Sequence, residues 1–331
     1  VKAAEEFAQA SDWYRRFAEV EAPGSSAIYE EWAWGVAADE EVLALITELP
    51  RPKRQPNLIF ACSRLLGAPV GAYQPWRNWL VANWEAVKAE ALLRATQTNE
   101  PGRCAVLLPV LAMIEGPIAL LEIGASAGLC LYPDRYSYSY DGDSAGEVRL
   151  DPTDGPSSVL LQCAVTGAPP LPTRMPDIAW RAGLDLNPLD VSSADDVTWL
   201  ETLIWPEQDA RRERLRAAME IARADPPTIV RGDALDALPG LVAQAPARAT
   251  LVVVTSAAIV YLMPEPRAEL IRYLESSRAR WISNEGAGIV PKAKERLEGR
   301  EAPVPGELLL SLDQNPLAFA GGHGQRLDWL T

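Results

Sequence analysis

Apolar residues recur at helical spacing from Lys2 to about Arg94. Phe7, Trp13, Tyr14 and Phe17 fall at intervals that share one helix face, and Val42, Leu45, Ile46 and Leu49 repeat the pattern before Pro50. Pro56 and Pro75 stand where a first helical turn tolerates proline, opening the runs Asn57-Leu58-Ile59-Phe60 and Trp76 onward. This block is predicted to be all helix. Trp13, Trp32, Trp34, Trp76, Trp79 and Trp84 lie within it, which suits helices packing on one another more than the lining of an apolar pocket.

Polar residues then crowd between Arg94 and Arg103, ahead of a second apolar helix-like run from Cys104 to Ile114. Asn99 as a cap with Pro101 in the first turn makes a loop between helices; a polar lid is the alternative. At Ile118 the pattern changes. The run Ile118-Ala119-Leu120-Leu121-Glu122-Ile123 breaks at Gly124 and resumes after Gly128, which predicts a buried strand, a tight turn and the start of a helix. Tyr136, Tyr138 and Tyr140 alternate, Asp141-Gly142-Asp143 makes a turn, and 147–150 and 159–165 read as strands closed by Pro169-Pro170-Leu171-Pro172.

Beyond this come a strand over 177–184, a helix from Trp205 through Ala222, a strand over 228–231, a helix over 235–243, a strand over 250–254, a helix over 264–277 and a strand over 280–283. The tail, 307–312 and 325–330, reads as two strands around Gly321-Gly322-His323-Gly324. Alternating strand and helix predicts an α/β fold with a doubly wound, mostly parallel, Rossmann-like sheet. An all-helical domain over 1–100 precedes it, on the substrate side as a lid. Residues 101–331 make the α/β domain, with a β-rich insertion at about 131–176 after the first core helix.

Composition narrows the partners. A formal net charge of −14 disfavours nucleic acid, whose phosphates are held mainly by Lys and Arg. Cys62, Cys104, Cys130 and Cys163 form no C-x-x-C pair and there is one histidine, so no metal is expected and the thiols are read as free in a reducing compartment. The first residues lack the basic-then-apolar form of a signal peptide, and the longest apolar run, Leu251 to Met263, is interrupted by Thr255 and Ser256 and too short to span a bilayer. A cytoplasmic protein that does not enter a membrane is expected.

Ligands of open α/β sheets lie outside the carboxyl ends of the strands. The predicted ends carry Glu122 with Gly124, then Asp185, Asp233, Thr255 with Ser256, and Asn284 with Glu285. That convergence marks the candidate site. A dinucleotide fingerprint fits poorly, because Ser126 and Leu129 stand where it needs glycine. Gly124-Ala125-Ser126-Ala127-Gly128 does satisfy the G-x-S-x-G of a serine-hydrolase elbow, with Ser126 as nucleophile and His323 as base. Against that reading, the residues before 115 are helical, and Glu122 would set a negative charge near a developing oxyanion.

The segment from Glu122 to Gly128 resembles the acidic-x-Gly-x-Gly-x-Gly loop of class I S-adenosylmethionine-dependent methyltransferases, with Ser126 in place of the middle glycine. The resemblance implies S-adenosylmethionine as cofactor, Asp185 at the ribose hydroxyls, and Asp233 with Ala234 at the adenine. More narrowly, the chain resembles a bacterial family catalogued as domain of unknown function 2332. The matching segments are Gln97-Thr98-Asn99-Glu100, Leu121 to Leu129, Asp134-Arg135-Tyr136, Gly183 to Asp190, Trp205-Pro206-Glu207, Ser283-Asn284-Glu285-Gly286 and His323-Gly324. Thr255 stands where that family often has His.

The expected cofactor side is Glu122, Gly124, Ser126, Gly128, Asp185, Asp233, Ala234, Thr255 and Ser256. Gln97, Thr98, Tyr261, Asn284 and Glu285 are expected to face a small-molecule methyl acceptor, with His323, Asn99 and Glu100 as catalytic groups. Gly124 and Gly128 are expected to let the ligand approach the backbone, so that Gly128→Val would obstruct the cofactor without unfolding the chain. A protein that binds the cofactor without catalysis is the alternative within this fold.

Overall fold

The computed structural model of the chain describes residues 2–97, 99–142 and 146–330. Thr98 and Asp143 lie outside the described residues. Two compact units form: residues 1–98 with 193–213, and residues 99–192 with 214–331.

The first unit is helical, as its apolar spacing requires. Its N-terminal part holds α1 (Lys2–Arg16), α2 (Ala27–Ala38), α3 (Glu40–Thr47), α4 (Pro56–Leu65), α5 (Tyr73–Ala82) and α6 (Trp84–Leu93). Ser26 and Asp39 cap α2 and α3 by accepting from the amides of Tyr29 and Val42, and Pro56 opens α4. Phe60 of α4 sits against Tyr14, Phe17, Tyr29, Trp32 and Trp76 with ring centroids 4.9–6.1 Å apart. The tryptophans at 32 and 76 are thus packing residues, and each indole N–H is satisfied, by Gly71 O and Ser63 Oγ.

Residues 193–213, expected within the α/β domain, cluster instead with these helices. Arg64 donates to the carbonyls of Thr202 and Ile204, and the Trp205 ring lies 5.5 Å from Phe17 and Tyr29. The helix expected from Trp205 starts instead at Asp209, after a Trp205-Pro206 link, and an unanticipated α8 (Ala194–Leu203), capped by Ser193, precedes it.

The second unit is built on one sheet of eleven described strands. They are β1 (Ile118–Ile123), β2 (Ser137–Gly142), β3 (Gly146–Leu150), β4 (Leu160–Thr166), β5 (Ile178–Asp185), β6 (Thr228–Arg231), β7 (Thr250–Ser256), β8 (Arg280–Gly286), β9 (Leu308–Leu312), β10 (Asn315–Ala320) and β11 (Arg326–Trp329). At one end β6-β5-β1-β7-β8 run parallel, the order third-second-first-fourth-fifth of a doubly wound sheet, with a switch point between β1 and β7. Beyond β8 the sheet is mixed. β9, β10 and β11 form an antiparallel meander, and β4 joins β11 in parallel, carrying β2 and β3 with it. The β-rich insertion therefore extends the main sheet, and the tail contains β10 where only two strands were expected; Pro316 disguises it.

The helix expected after Gly128 is absent. Leu129–Leu131 makes a single 3₁₀ turn, because all three residues are buried with no polar face to leave outside and Pro133 stops propagation. In front of β1 stands α7 (Cys104–Leu111), in which every residue is buried. Pro109 inside it has no N–H for the carbonyl of Ala105, and the Tyr140 hydroxyl of β2 donates to that carbonyl at 2.8 Å. The remaining helices of this unit are α9 (Asp209–Ala224) from Arg214 onward, α10 (Ala234–Val242), α11 (Pro264–Ser276) and α12 (Pro291–Glu295).

Candidate functional site at the carboxyl edge

The loop after β1 is tightly held. Gly124, Ser126 and Gly128 all have left-handed backbones, φ 78°, 51° and 73°. Asp185 clamps the loop from β5: Oδ2 accepts from Ser126 N at 2.8 Å and Oδ1 from Asn187 N at 2.7 Å. Asn99 clamps it from the other side, its Oδ1 accepting from Ala127 N at 3.1 Å. A Cβ on Gly124 would stand 2.6 Å from that of Ala258, and one on Gly128 would stand 2.9 Å from Ile229 Cδ1 and 3.0 Å from Pro227 Cγ. Space beside both glycines is thus filled by the protein's own side chains, so the expectation that Gly128→Val would spare the fold is corrected.

Side chains alternate across β7 and β8. Thr255 and Glu285 lie on the face of the apolar core that contains Leu121, Val253 and Trp281, where Thr255 Oγ1 accepts from the Trp281 indole. Ser256 and Asn284 lie on the opposite face with Glu122, and Asn284 Nδ2 donates to Ser256 Oγ at 3.0 Å. Glu285 Oε1 accepts from the amides of Ala258 and Ile259. Asp233 is exposed and caps α10 through Leu235 N; Ala234 behind it is buried. Tyr261 is exposed, in the turn after β7.

Five buried polar atoms at this edge have no hydrogen-bond partner: Asn99 Nδ2, Glu122 Oε2, Ser126 Oγ, Asn284 Oδ1 and Glu285 Oε2. Burial pushes the Glu122 carboxyl well above its usual range; Cys130 and Asp185 add to this and the Arg103 charge opposes it. Burial likewise pushes Glu285 up to about 7, against its two amide bonds and Arg103.

Arg103, not among the residues expected at the site, ties the edge together. It is buried, and donates through Nε to Gly322 O at 3.0 Å and through Nη1 to Ser256 O at 2.8 Å. Its signal was an arginine directly after Pro101-Gly102 in a stretch already marked by Asn99-Glu100. Glu100 Oε1 accepts from Gly102 N and from Arg214, so this carboxylate fixes the 3₁₀ turn Pro101–Arg103. The Gly321–Gly324 turn packs directly on it: the pro-Cβ position of Gly324 is filled by the Gly102 carbonyl.

His323 is exposed and lines a cavity of about 600 Å³ with Ser139, Asp141, Glu147, Gln162, Arg214 and Gln325. The structure thus brings Asn99, Glu122, Ser126, Asp185, Ser256, Asn284 and Glu285 to the carboxyl edge and sets the His323 side chain in this other cavity, against β2 and β4. The unpartnered polar atoms make the edge, not the cavity, the stronger candidate site. Gln97 belongs to the helical unit. Among the described residues no cluster of His, Cys, Asp and Glu could hold a metal, and no helix is long and apolar enough to cross a membrane.

The chain belongs to the family described as "uncharacterized protein conserved in bacteria" (DUF2332), whose model matches residues 11–329. No curated protein and no solved structure matches it.

Proposed function

We propose that this member of the DUF2332 family binds S-adenosylmethionine at the carboxyl edge of β6-β5-β1-β7-β8 and transfers its methyl group to a small-molecule acceptor. One observation carries the reading: the unpartnered buried polar atoms of Asn99, Glu122, Ser126 and Asn284 lie where a doubly wound sheet receives its ligand. Leaving one such atom unsatisfied costs about 1–3 kcal/mol, so a cluster of them is kept for a ligand that completes it.

The donor set suits the cofactor. Glu122 Oε2 and Asn284 Oδ1 are acceptors for an amino group, and Asn99 Nδ2 is a donor for a carboxylate. Asp185, whose carboxylate holds the loop at Ser126 and Asn187, and Asp233, which caps α10, follow β5 and β6 where the resemblance puts the ribose and the adenine. When bound, S-adenosylmethionine supplies an electrophilic methyl group on a sulfonium. The chain's part is to align that group and exclude water, which the Arg103 bonds to Gly322 and Ser256 serve by closing one side of the edge.

Titration calorimetry with S-adenosylmethionine and S-adenosylhomocysteine tests this. Heat of binding is expected with both, and no heat from either up to ~1 mM, a weak-binding limit, sinks the proposal. Asn99→Ala should weaken both ligands, because the loop loses its clamp at Ala127.

Ser126 supports a second reading, since its positive φ and unpartnered hydroxyl are those of a strained nucleophile. The missing helix after Gly128 and the placing of His323 in the other cavity rank it lower. Labelling of the wild type by a fluorophosphonate, lost in Ser126→Ala, would reverse that ranking.

A further inference from the structure

We infer that the methyl acceptor is a primary or secondary amine on an apolar body, and that the Glu285 carboxylate takes its proton. This rests on the S-adenosylmethionine reading and adds the acceptor's chemistry to it. Glu285 ends β8 almost fully buried, 1% exposed. Its Oε1 is pinned by the amides of Ala258 and Ile259 at 3.1 and 3.2 Å, which fixes the carboxyl plane and leaves Oε2 buried without a partner. Acceptors in want of donors select a ligand rich in N–H, and an ammonium brings up to three where a hydroxyl brings one.

The turn that Glu285 holds runs straight into Val260, Tyr261 and Met263, which are 43%, 78% and 69% exposed. Apolar surface is therefore set beside the buried carboxyl by the same two hydrogen bonds. A net charge of −14 attracts a cation. Arg103 is the charged side chain that acts on Glu285, and with the Thr255 hydroxyl and the two amides it offsets only part of the burial effect. The resulting value of about 7 suits a base working near neutrality.

In the step itself, Glu285 Oε2 accepts one proton from the ammonium. The freed nitrogen lone pair forms the N–C bond as the C–S bond of the sulfonium breaks, its electron pair staying on sulfur as a neutral thioether. The product leaves as a methylated ammonium, and Glu285 returns its proton to solvent.

The test is calorimetry of 2-phenylethylamine binding to the protein saturated with S-adenosylhomocysteine, from pH 5.5 to 8.5, with 2-phenylethanol and 3-phenylpropanoate as controls. Amine affinity is expected to rise about tenfold per pH unit up to about 7 and then level, with both controls at least tenfold weaker at pH 8. Glu285→Gln keeps an oxygen for the Ala258 and Ile259 amides, so its fold and S-adenosylhomocysteine affinity should persist while amine affinity falls at least tenfold and loses its pH dependence. Glu285→Asp keeps the charge on a shorter arm and should retain the pH dependence. Equal binding of amine and alcohol, or an unchanged pH profile in Glu285→Gln, overturns the inference and leaves the cofactor reading standing. Failure of S-adenosylhomocysteine to bind the wild type overturns both.

Discussion

The Tyr140 hydroxyl donates to the carbonyl of Ala105, the acceptor that Pro109 deprives of its helical N–H. Both groups are buried, so breaking the bond strands a carbonyl in the apolar interior of α7. Tyr140→Phe is expected to lower unfolding free energy by about 1–3 kcal/mol, read from urea denaturation. Pro109→Ala restores an N–H for Ala105, so in that background the cost of Tyr140→Phe should shrink. A double-mutant cycle that shows no coupling between 109 and 140 contradicts the account.

Gly128→Val is a stability mutation. The left-handed backbone alone costs a non-glycine residue roughly 1–2 kcal/mol, and the new Cβ meets Ile229 and Pro227. The expected outcome is a loss of several degrees in melting temperature before any ligand is added. Unchanged melting with weakened cofactor binding would restore the view that a ligand occupies the space beside Gly128.

Arg103→Met removes the donors of two bonds to backbone carbonyls, and the charge that opposes the upward shift of Glu122 and Glu285. Hydrogen bonds from charged groups contribute about 1.5–3 kcal/mol each, so this variant should be among the most damaging in the second unit. Arg103→Lys can satisfy one carbonyl but not both in the same geometry, and chemical denaturation should place it between wild type and Met.

Stability should depend on pH through Glu285. Its folded value, about 7, lies above the ordinary 4.5, so between these limits the native state binds more protons than the unfolded chain. Its contribution is then greatest below about pH 4.5 and is lost as pH rises through 7, a swing of roughly 3 kcal/mol. Glu122, raised further by burial, adds in the same direction. The stability difference between wild type and Glu285→Gln, measured at pH 4.5 and 7.5, should fall by about that amount; a difference that stays flat or grows with pH refutes the assignment.

Local patterns in the sequence determined most of the elements. Helical spacing placed the N-terminal block, and apolar runs ending in Glu122, Asp185, Thr255 and Asn284 placed β1, β5, β7 and β8 and their shared edge, because burial of one face imposes a period on each segment. That period says nothing about which segments meet. The tertiary structure alone decided that 193–213 joins the helical unit, that the insertion strands extend the main sheet through β4 and β11, and that Leu129–Leu131 stops after one turn. It also divided the site: Asn99 went to the glycine loop and His323 to a cavity on β2 and β4, while Arg103, one charge among polar neighbours in the sequence, became the tie between Ser256 and Gly322. Each of these depends on partners far away in the chain, the nearest 28 positions off, or on the space left between packed elements, and neither leaves a trace in the spacing of residues along the chain.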